Sequence, residues 1–265
     1  MREADFIQRV FRDAAPIVLG GDRSATEKGT ALGVYDVVTD SDVRTEEFVL
    51  SRIAGEFPDD SVISEETHPD AMEGERCWVL DPIDGTMNYS RGIPLFGMQA
   101  AFLEDGVPTM ACIYLPVQDE MFVAFGDGAY LNGERIHTAE PRPLRQCLLA
   151  TGDYSRRSED YRIGQANLMS RCFDMVGRFK MFGASSVDYS YLSCGRVDIH
   201  FRFLNKRWDY LPGLFLATRA GAVFDRDLTK RHRLLMLCSS DEVLDEAVDK
   251  LVPEILRDPG HRSSA

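Results

Sequence analysis

A short apolar run that ends in two carboxylates three residues apart constrains this chain more than any other segment. It reads Trp78-Val79-Leu80-Asp81-Pro82-Ile83-Asp84 and passes directly into Gly85-Thr86-Met87-Asn88-Tyr89. The run has the length and composition of a buried strand, and the aspartates stand where it gives way to a turn. Two aspartates on one turn suit a hard divalent cation, because Mg²⁺ takes oxygen ligands in octahedral geometry and keeps waters and phosphate in its shell. Gly85 and Thr86 can turn backbone N–H groups toward an anion where a helix begins. Asp, Pro and Gly are also the usual residues of an exposed turn after a strand, so the segment alone leaves a metal site and a plain turn both open.

Spacing removes two other chemistries. An EF-hand needs alternating ligands and a bidentate Glu at its end, whereas Pro82 and Ile83 interrupt the alternation and no Glu falls at the required place. A haloacid-dehalogenase-type phosphatase also carries Asp-Gly-Thr, but its nucleophilic Asp lies two residues before the second Asp, where this chain has Pro82.

With 265 residues, 44% of them hydrophobic, the chain can bury a large core as one domain or two intimate ones. The net charge of −13 argues against a nucleic-acid partner, since phosphate backbones are held by clustered Lys and Arg. It does not argue against a small anionic substrate, because cations recruited by carboxylates invert the local potential. The six cysteines are scattered with no C-x-x-C pair and read as reduced core residues. The five histidines are dispersed and offer neither a zinc set nor a catalytic base. The N-terminus carries acids and leads into an amphipathic pattern rather than a signal peptide. No apolar run approaches the ~18 residues of a membrane span, so a soluble cytoplasmic protein with no membrane partner is expected.

Helical spacing recurs at Phe6, Val10, Ala14, Ile17 and Val18 and again at Val43, Glu47, Leu50 and Ile53. Short apolar runs follow at Val62-Ile63, Cys77 to Leu80, Phe96 to Phe102, Thr109 to Tyr114, Met121 to Phe125 and Ala129 to Leu131, a sheet-rich middle. Val107-Pro108 and Asn132-Gly133 are hairpin signals. Pro141-Arg142-Pro143 is the candidate boundary, dividing an N-terminal metal-binding half (1–143) from a C-terminal α/β half (144–265) within one catalytic unit. In the second half, 158–172, 185–194, 208–220 and 241–256 read as helices and 197–203 and 234–238 as strands, with 258–265 a frayed tail.

Three further segments set acids at element ends: Thr39-Asp40-Ser41-Asp42, Ser64-Glu65-Glu66 and Trp208-Asp209. Alone, the first and third suit helix caps and the second a solvated loop. Together with Asp81 to Tyr89, and in this order, they resemble the signature of the inositol monophosphatase family of Mg²⁺-dependent, lithium-sensitive phosphatases. The resemblance runs from Lys28 to about Phe224. Its D-P-[IL]-D-G-T core is matched residue for residue, while Ser64, Met87, Leu211 and Pro212 depart from the pattern.

That resemblance implies a layered α/β/α/β/α sandwich of the sugar-phosphatase type, a homodimer, and two or three Mg²⁺ ions. It implies that Glu65, Asp81 and the Ile83 carbonyl hold the first ion, that Asp81, Asp84 and Asp209 hold the second, and that a third lies near Glu65. Asp42 and Thr86, with Glu65, would activate the attacking water. Asp84, Gly85 and Thr86 would meet the substrate, together with Gly183, Ala184 and Ser185 at a helix start. In animal members a Glu seven residues before the second-metal Asp contacts inositol hydroxyls, and here that position is Arg202. A guanidinium cannot accept from hydroxyls but can hold a second anionic group, so Arg202, Lys206 and Arg207 are either substrate contacts or solvated loop charges. A small phosphorylated metabolite is the expected partner: an inositol phosphate, or else fructose bisphosphate, a 3′,5′-bisphosphate nucleotide or histidinol phosphate. A regulatory or assembly subunit that kept the fold is the alternative of a different class.

Overall fold

Successive side chains of a strand point to opposite faces, and in the central strands of this chain both faces are apolar, so each sheet has to be covered on both sides. A computed structural model describes residues 2–28, 37–152 and 158–257. The chain opens with α1 (Arg2–Gly20), a ribbon of β1 (Ala25–Glu27) against β2 (Val37–Thr39), and α2 (Asp40–Glu56). A seven-stranded sheet follows, made of β3 (Ser61–Ser64), β4 (Arg76–Asp84), β5 (Gly97–Glu104), β6 (Val107–Leu115), β7 (Glu120–Phe125), β8 (Gly128–Leu131) and β9 (Glu134–Ile136), with the five-residue α3 (Thr86–Ser90) between β4 and β5. β3 runs parallel to β4 and the rest form an antiparallel meander.

The second half supplies β10 (Leu148–Thr151), α4 (Glu159–Arg171), β11 (Arg178–Lys180), α5 (Ser185–Ser193), β12 (Ile199–Phe203), α6 (Arg207–Arg219), α7 (Arg226–His232), β13 (Leu234–Cys238), α8 (Asp241–Lys250) and α9 (Val252–Ile255). Its four-stranded sheet has the order β11-β10-β12-β13, antiparallel only between β12 and β13.

The alternation along β6 shows how the layers are assigned. Met110, Cys112 and Tyr114 pack with Phe6, Val10 and Phe11 of α1 and with Val49 and Ile53 of α2. Ala111, Ile113 and Leu115 face the other way, onto Val187 and Leu192 of α5 and Phe215 and Leu216 of α6. The same two helices meet Leu235 and Leu237 of the second sheet. The outer face of that sheet, Leu149, Phe201 and Met236, is closed by Leu168 of α4, Val243 of α8 and Ile255 of α9. The result is the expected α/β/α/β/α layering, and it puts α5 and α6 between the two sheets.

Two turns correct the sequence reading. The β5–β6 hairpin turns at Asp105-Gly106, with φ of 51° and 76°, and not at Val107-Pro108, which begins β6. Both turn residues need positive φ, which Asp and Gly tolerate and Pro cannot adopt. The Asn132-Gly133 turn between β8 and β9 stands as expected, with φ of 50° and 87°. The helix expected over 241–256 is broken at Leu251 into α8 and α9, next to Pro253. β11, α7 and β1 carry too few apolar residues to be legible, while the short apolar pieces Leu148-Leu149-Ala150 of β10 and Val37-Val38 of β2 were not read as strands. The tail expected to fray, 258–265, lies outside the described residues.

The middle layer depends on close approach. On α6, a Cβ added at Gly213 would fall 2.1 Å from Tyr189 Cγ of α5. Gly213→Ala is therefore expected to lower stability by about 1–3 kcal/mol, the range for overpacking a filled core, measured by urea denaturation. An unchanged midpoint would contradict the tight α5–α6 seam.

Candidate active site

The two carboxylates of β4 owe their placement to an irregular strand end. β3 pairs with β4 only as far as Ser64 opposite Leu80, so the missing N–H of Pro82 costs no ladder bond on that side. On the other side the register with β5 shifts between Asp81, opposite Gln99, and Asp84, opposite Gly97. Asp81 is 1% exposed. Its Oδ2 accepts from Gln99 Nε2 at 3.3 Å, and its Oδ1 is buried with no hydrogen-bond partner.

Glu65 follows β3 on a loop held by Glu46, a fully buried carboxylate on α2. Glu46 accepts from Ser64 Oγ at 2.9 Å, from the Glu66 amide at 2.9 Å, from the Thr67 amide at 2.8 Å and from the Thr67 hydroxyl. Ser64, one of the departures from the family pattern, thus ties the loop to α2. Asp209 comes from the first turn of α6, where its amide donates to Lys206 O at 3.1 Å.

These elements bring one carboxylate oxygen each from Glu65, Asp81 and Asp209 to within 4.8 Å of one another. Burial raises the Asp81 carboxyl well above the usual range, and the charges of Glu65, Asp84 and Asp209 raise it further. Glu65 is raised for the same reasons, by burial first and then by Asp209 and Glu66, against the opposing pull of Lys28. Lys28 donates to Glu65 Oε1 at 3.0 Å and to Glu66 Oε1 at 2.6 Å. Burial opposes its charge, but the two carboxylates raise it overall.

Asp42 serves as a helix cap and as a site residue at once. Its Oδ2 accepts from the Thr39 amide at 2.8 Å and from the Thr39 hydroxyl, completing a capping box at the start of α2. Its Oδ1 faces Thr86 Oγ1 at 3.1 Å. The Thr86 hydroxyl also lies 3.0 Å from the Ile83 carbonyl, so its single proton has two acceptors in reach. Burial raises the Asp42 carboxyl, against the lowering effect of the Thr39 and Thr86 bonds.

Asp84 is turned away from the trio and toward α5, accepting from Ser185 Oγ at 2.8 Å, from the Ser186 amide at 2.6 Å and from Ser186 Oγ at 2.5 Å. The set Asp81, Asp84 and Asp209 implied for a second ion is therefore not gathered as tightly as Glu65, Asp81 and Asp209. Gly85 has φ of 87°, and a Cβ there would fall 2.7 Å from Ala184 Cβ. Asn88 Nδ2 donates to Leu95 O and Phe182 O, both at 2.7 Å, holding Gly183, Ala184 and Ser185 beside the Gly85-Thr86 turn.

Arg202 lies in β12, on the face opposite Phe201 and Phe203, and is not a loop residue. Its Nη1 donates to the Asp209 carbonyl at 2.9 Å and its guanidinium lies 5.9 Å from the Tyr189 ring centroid. The other two candidate cations are engaged outside, Lys206 over the Trp208 ring and Arg207 with Glu73. Glu46, Lys28 and Gln99 were not singled out in the sequence, and Ser186 was read there only as part of the substrate-side helix start with Gly183, Ala184 and Ser185. The only signal for Glu46 was a carboxylate on the buried stripe of an amphipathic helix, which is costly unless paired.

The sequence profile of the inositol monophosphatase family matches residues 6–256. The chain belongs to that family. It is 28% identical to a Thermotoga maritima protein named fructose-1,6-bisphosphatase/inositol-1-monophosphatase over 98% of this chain and 99% of the relative. It is 30% identical to Nus factor SuhB of Escherichia coli over 80% of this chain and 78% of that protein. A solved Thermotoga maritima IMPase superposes with a TM-score of 0.83 at 27% identity, covering 96% of this chain and 100% of that one. Among the described residues no helix is long and apolar enough to cross a membrane.

If Glu46 is the clamp of the Glu65 loop, Glu46→Ala leaves the buried Ser64 hydroxyl and the part-buried Glu66 and Thr67 donors without their acceptor. Stability should fall by at least about 2 kcal/mol, given ~1–3 kcal/mol per unsatisfied buried group. Amide exchange at Glu66 and Thr67 should rise more than the global change explains. Exchange at those amides that tracks global unfolding alone would contradict the clamp.

Proposed function

We propose that the chain is a phosphomonoesterase that uses Mg²⁺ to hydrolyse a small phosphorylated metabolite, an inositol monophosphate or a related sugar phosphate. The observation that carries this reading is the convergence of Glu65, Asp81 and Asp209 within 4.8 Å beside the Asp42–Thr86 pair. The donor set fits the ion: hard oxygens, no thiolate or imidazole, and a buried carboxylate oxygen on Asp81 without a partner. Glu65, Asp81, Asp209 and the Ile83 carbonyl would hold it, with Asp84 available to a second. When bound, Mg²⁺ supplies Lewis-acid activation of the attacking water and of the phosphate oxygens.

The chain's own residues would handle the proton and the orientation. Thr86, 3.1 Å from Asp42 Oδ1, can take a proton from the attacking water as its own proton passes to Asp42, and the Thr39 bonds keep that carboxylate fixed. Burial raises the basicity of Asp42, which suits a proton acceptor near neutral pH. The water oxygen bonds to phosphorus as the phosphorus–ester oxygen bond breaks, the leaving oxygen takes a proton from bulk water, and Asp42 returns its proton to solvent. The left-handed Gly85 turn and the start of α5 would line the substrate side. Arg202, half-buried beside Asp209, would meet a second anionic group, in keeping with the bisphosphatase name of the Thermotoga relative.

The test is phosphate release with Mg²⁺ over inositol monophosphate, fructose bisphosphate, histidinol phosphate and a bisphosphate nucleotide. Asp81→Asn should reduce turnover at least about a thousandfold, because several kcal/mol of charge stabilisation is at stake, and Li⁺ should inhibit the wild type. Release from none of these substrates by protein that binds Mg²⁺ would favour a non-catalytic role, of the kind the name Nus factor gives to the Escherichia coli relative. Arg202→Glu should lower kcat/KM for a bisphosphate by more than ~2 kcal/mol, the scale of a broken charged contact, and for a monophosphate by much less. Equal losses on both would remove Arg202 from substrate recognition.

A further inference from the structure

Asp84 is held by a buried hydrogen-bond chain that the proposed chemistry does not by itself require. Gln99 is fully buried on β5, opposite Asp81 in register. Its Nε2 reaches Asp81 Oδ2 at 3.3 Å and Ser185 Oγ at 3.2 Å. An amide nitrogen can only donate, so Ser185 must accept from Gln99 and give its one proton to Asp84 Oδ1, 2.8 Å away. The polarity of the chain is thereby fixed, running from Gln99 through Ser185 to Asp84, with a second branch from Gln99 to Asp81.

On the other oxygen of Asp84, the amide and hydroxyl of the fully buried Ser186 both donate. Ser186 can come so close because the residue opposite Asp84 on β5 is Gly97. A Cβ there would fall 2.9 Å from Ser186 Oγ and 2.8 Å from Leu115 Cδ2. A carboxylate has about four acceptor positions, and three on Asp84 are taken. What remains is a single direction for a cation, whereas Asp81 Oδ1 is free of any hydrogen bond.

We infer that Ser185, Ser186 and Gln99 are positioning residues that lock Asp84 as a one-oxygen ligand tied to Asp81, and so set the affinity of a second cation without governing the first. This rests on the metal-dependent reading of the site. Outer-shell donors of this kind orient ligating carboxylates, and their loss costs roughly 10- to 100-fold in metal affinity. The first cation, at Glu65, Asp81 and Asp209, gains by relieving like-charge repulsion. The second gains only what Asp84 has left to give.

Calorimetric titration with Mn²⁺ separates the two. Wild type is expected to bind in a tight and a weak class. Ser186→Ala should weaken the weak class at least about tenfold and leave the tight class within about twofold. Ser185→Ala, which breaks the chain from Gln99 while keeping the Ser186 donors, should act in the same direction and serves if Ser186→Ala does not fold. Gln99→Leu leaves all three donors of Asp84 in place, so a selective loss there separates a tie between the carboxylates from a simple cap. A weak class that is unchanged or tightened in folded Ser186→Ala and Ser185→Ala protein overturns the inference. Failure of wild type to bind Mn²⁺ at all would overturn the metal-dependent reading instead, and the two failures are distinguishable.

Discussion

Like charges held together against their repulsion are what the rest of this structure is arranged around. Carboxylates about 4 Å apart repel by roughly 4 kcal/mol per pair at an effective dielectric near 20. Glu65, Asp81 and Asp209 approach this spacing from three different elements. None would stay on energetic grounds of its own. Asp81 stays because β4 is locked between β3 and β5 up to Leu80 and Asp81 itself still pairs in register with Gln99 of β5. Glu65 stays because Glu46 takes up the donors of its loop. Asp209 stays because α6 is wedged between two sheets with Gly213 pressed on Tyr189.

The layering follows from the same requirement. α5 and α6 come late in the chain, yet they cover the face of the first sheet that Ala111, Ile113 and Leu115 leave open. This puts the first turn of each helix at the end of β4 where the aspartates emerge. Asp84 reaches the start of α5, and Arg202 of β12 reaches the backbone of α6. Strand alternation therefore decides both the core and the composition of the site.

The carboxylates themselves were legible in the sequence, because acids at the ends of apolar runs stand out against the pattern. Fold class followed from strand and helix periods and from the resemblance those acids carry. What holds them was not legible. Glu46 is one more acid on a helix until Ser64 and Thr67 are folded against it, and Gln99 is one polar residue within an apolar strand, telling only once Asp81 stands opposite. Arg202 stood within the strand read over 197–203 but open between a substrate contact and a solvated charge, and the fold turns its guanidinium onto the Asp209 carbonyl. Asp42 shows why a helix-cap reading and a site reading need not exclude each other, since one of its oxygens caps α2 while the other faces Thr86.

If repulsion in the carboxylate trio is the stress that a cation relieves, stability and cation binding must trade against each other at Asp81. Thermal melting of wild type and Asp81→Asn, each in EDTA and in excess Mg²⁺, tests this directly. Saturation to about 100 times Kd adds ~2.7 kcal/mol, so wild type should gain on the order of 5–10 °C with Mg²⁺. Asp81→Asn should melt higher than wild type in EDTA and gain little from Mg²⁺. An Asp81→Asn protein that is less stable than wild type without metal, or that gains as much from Mg²⁺ as wild type does, would contradict the account.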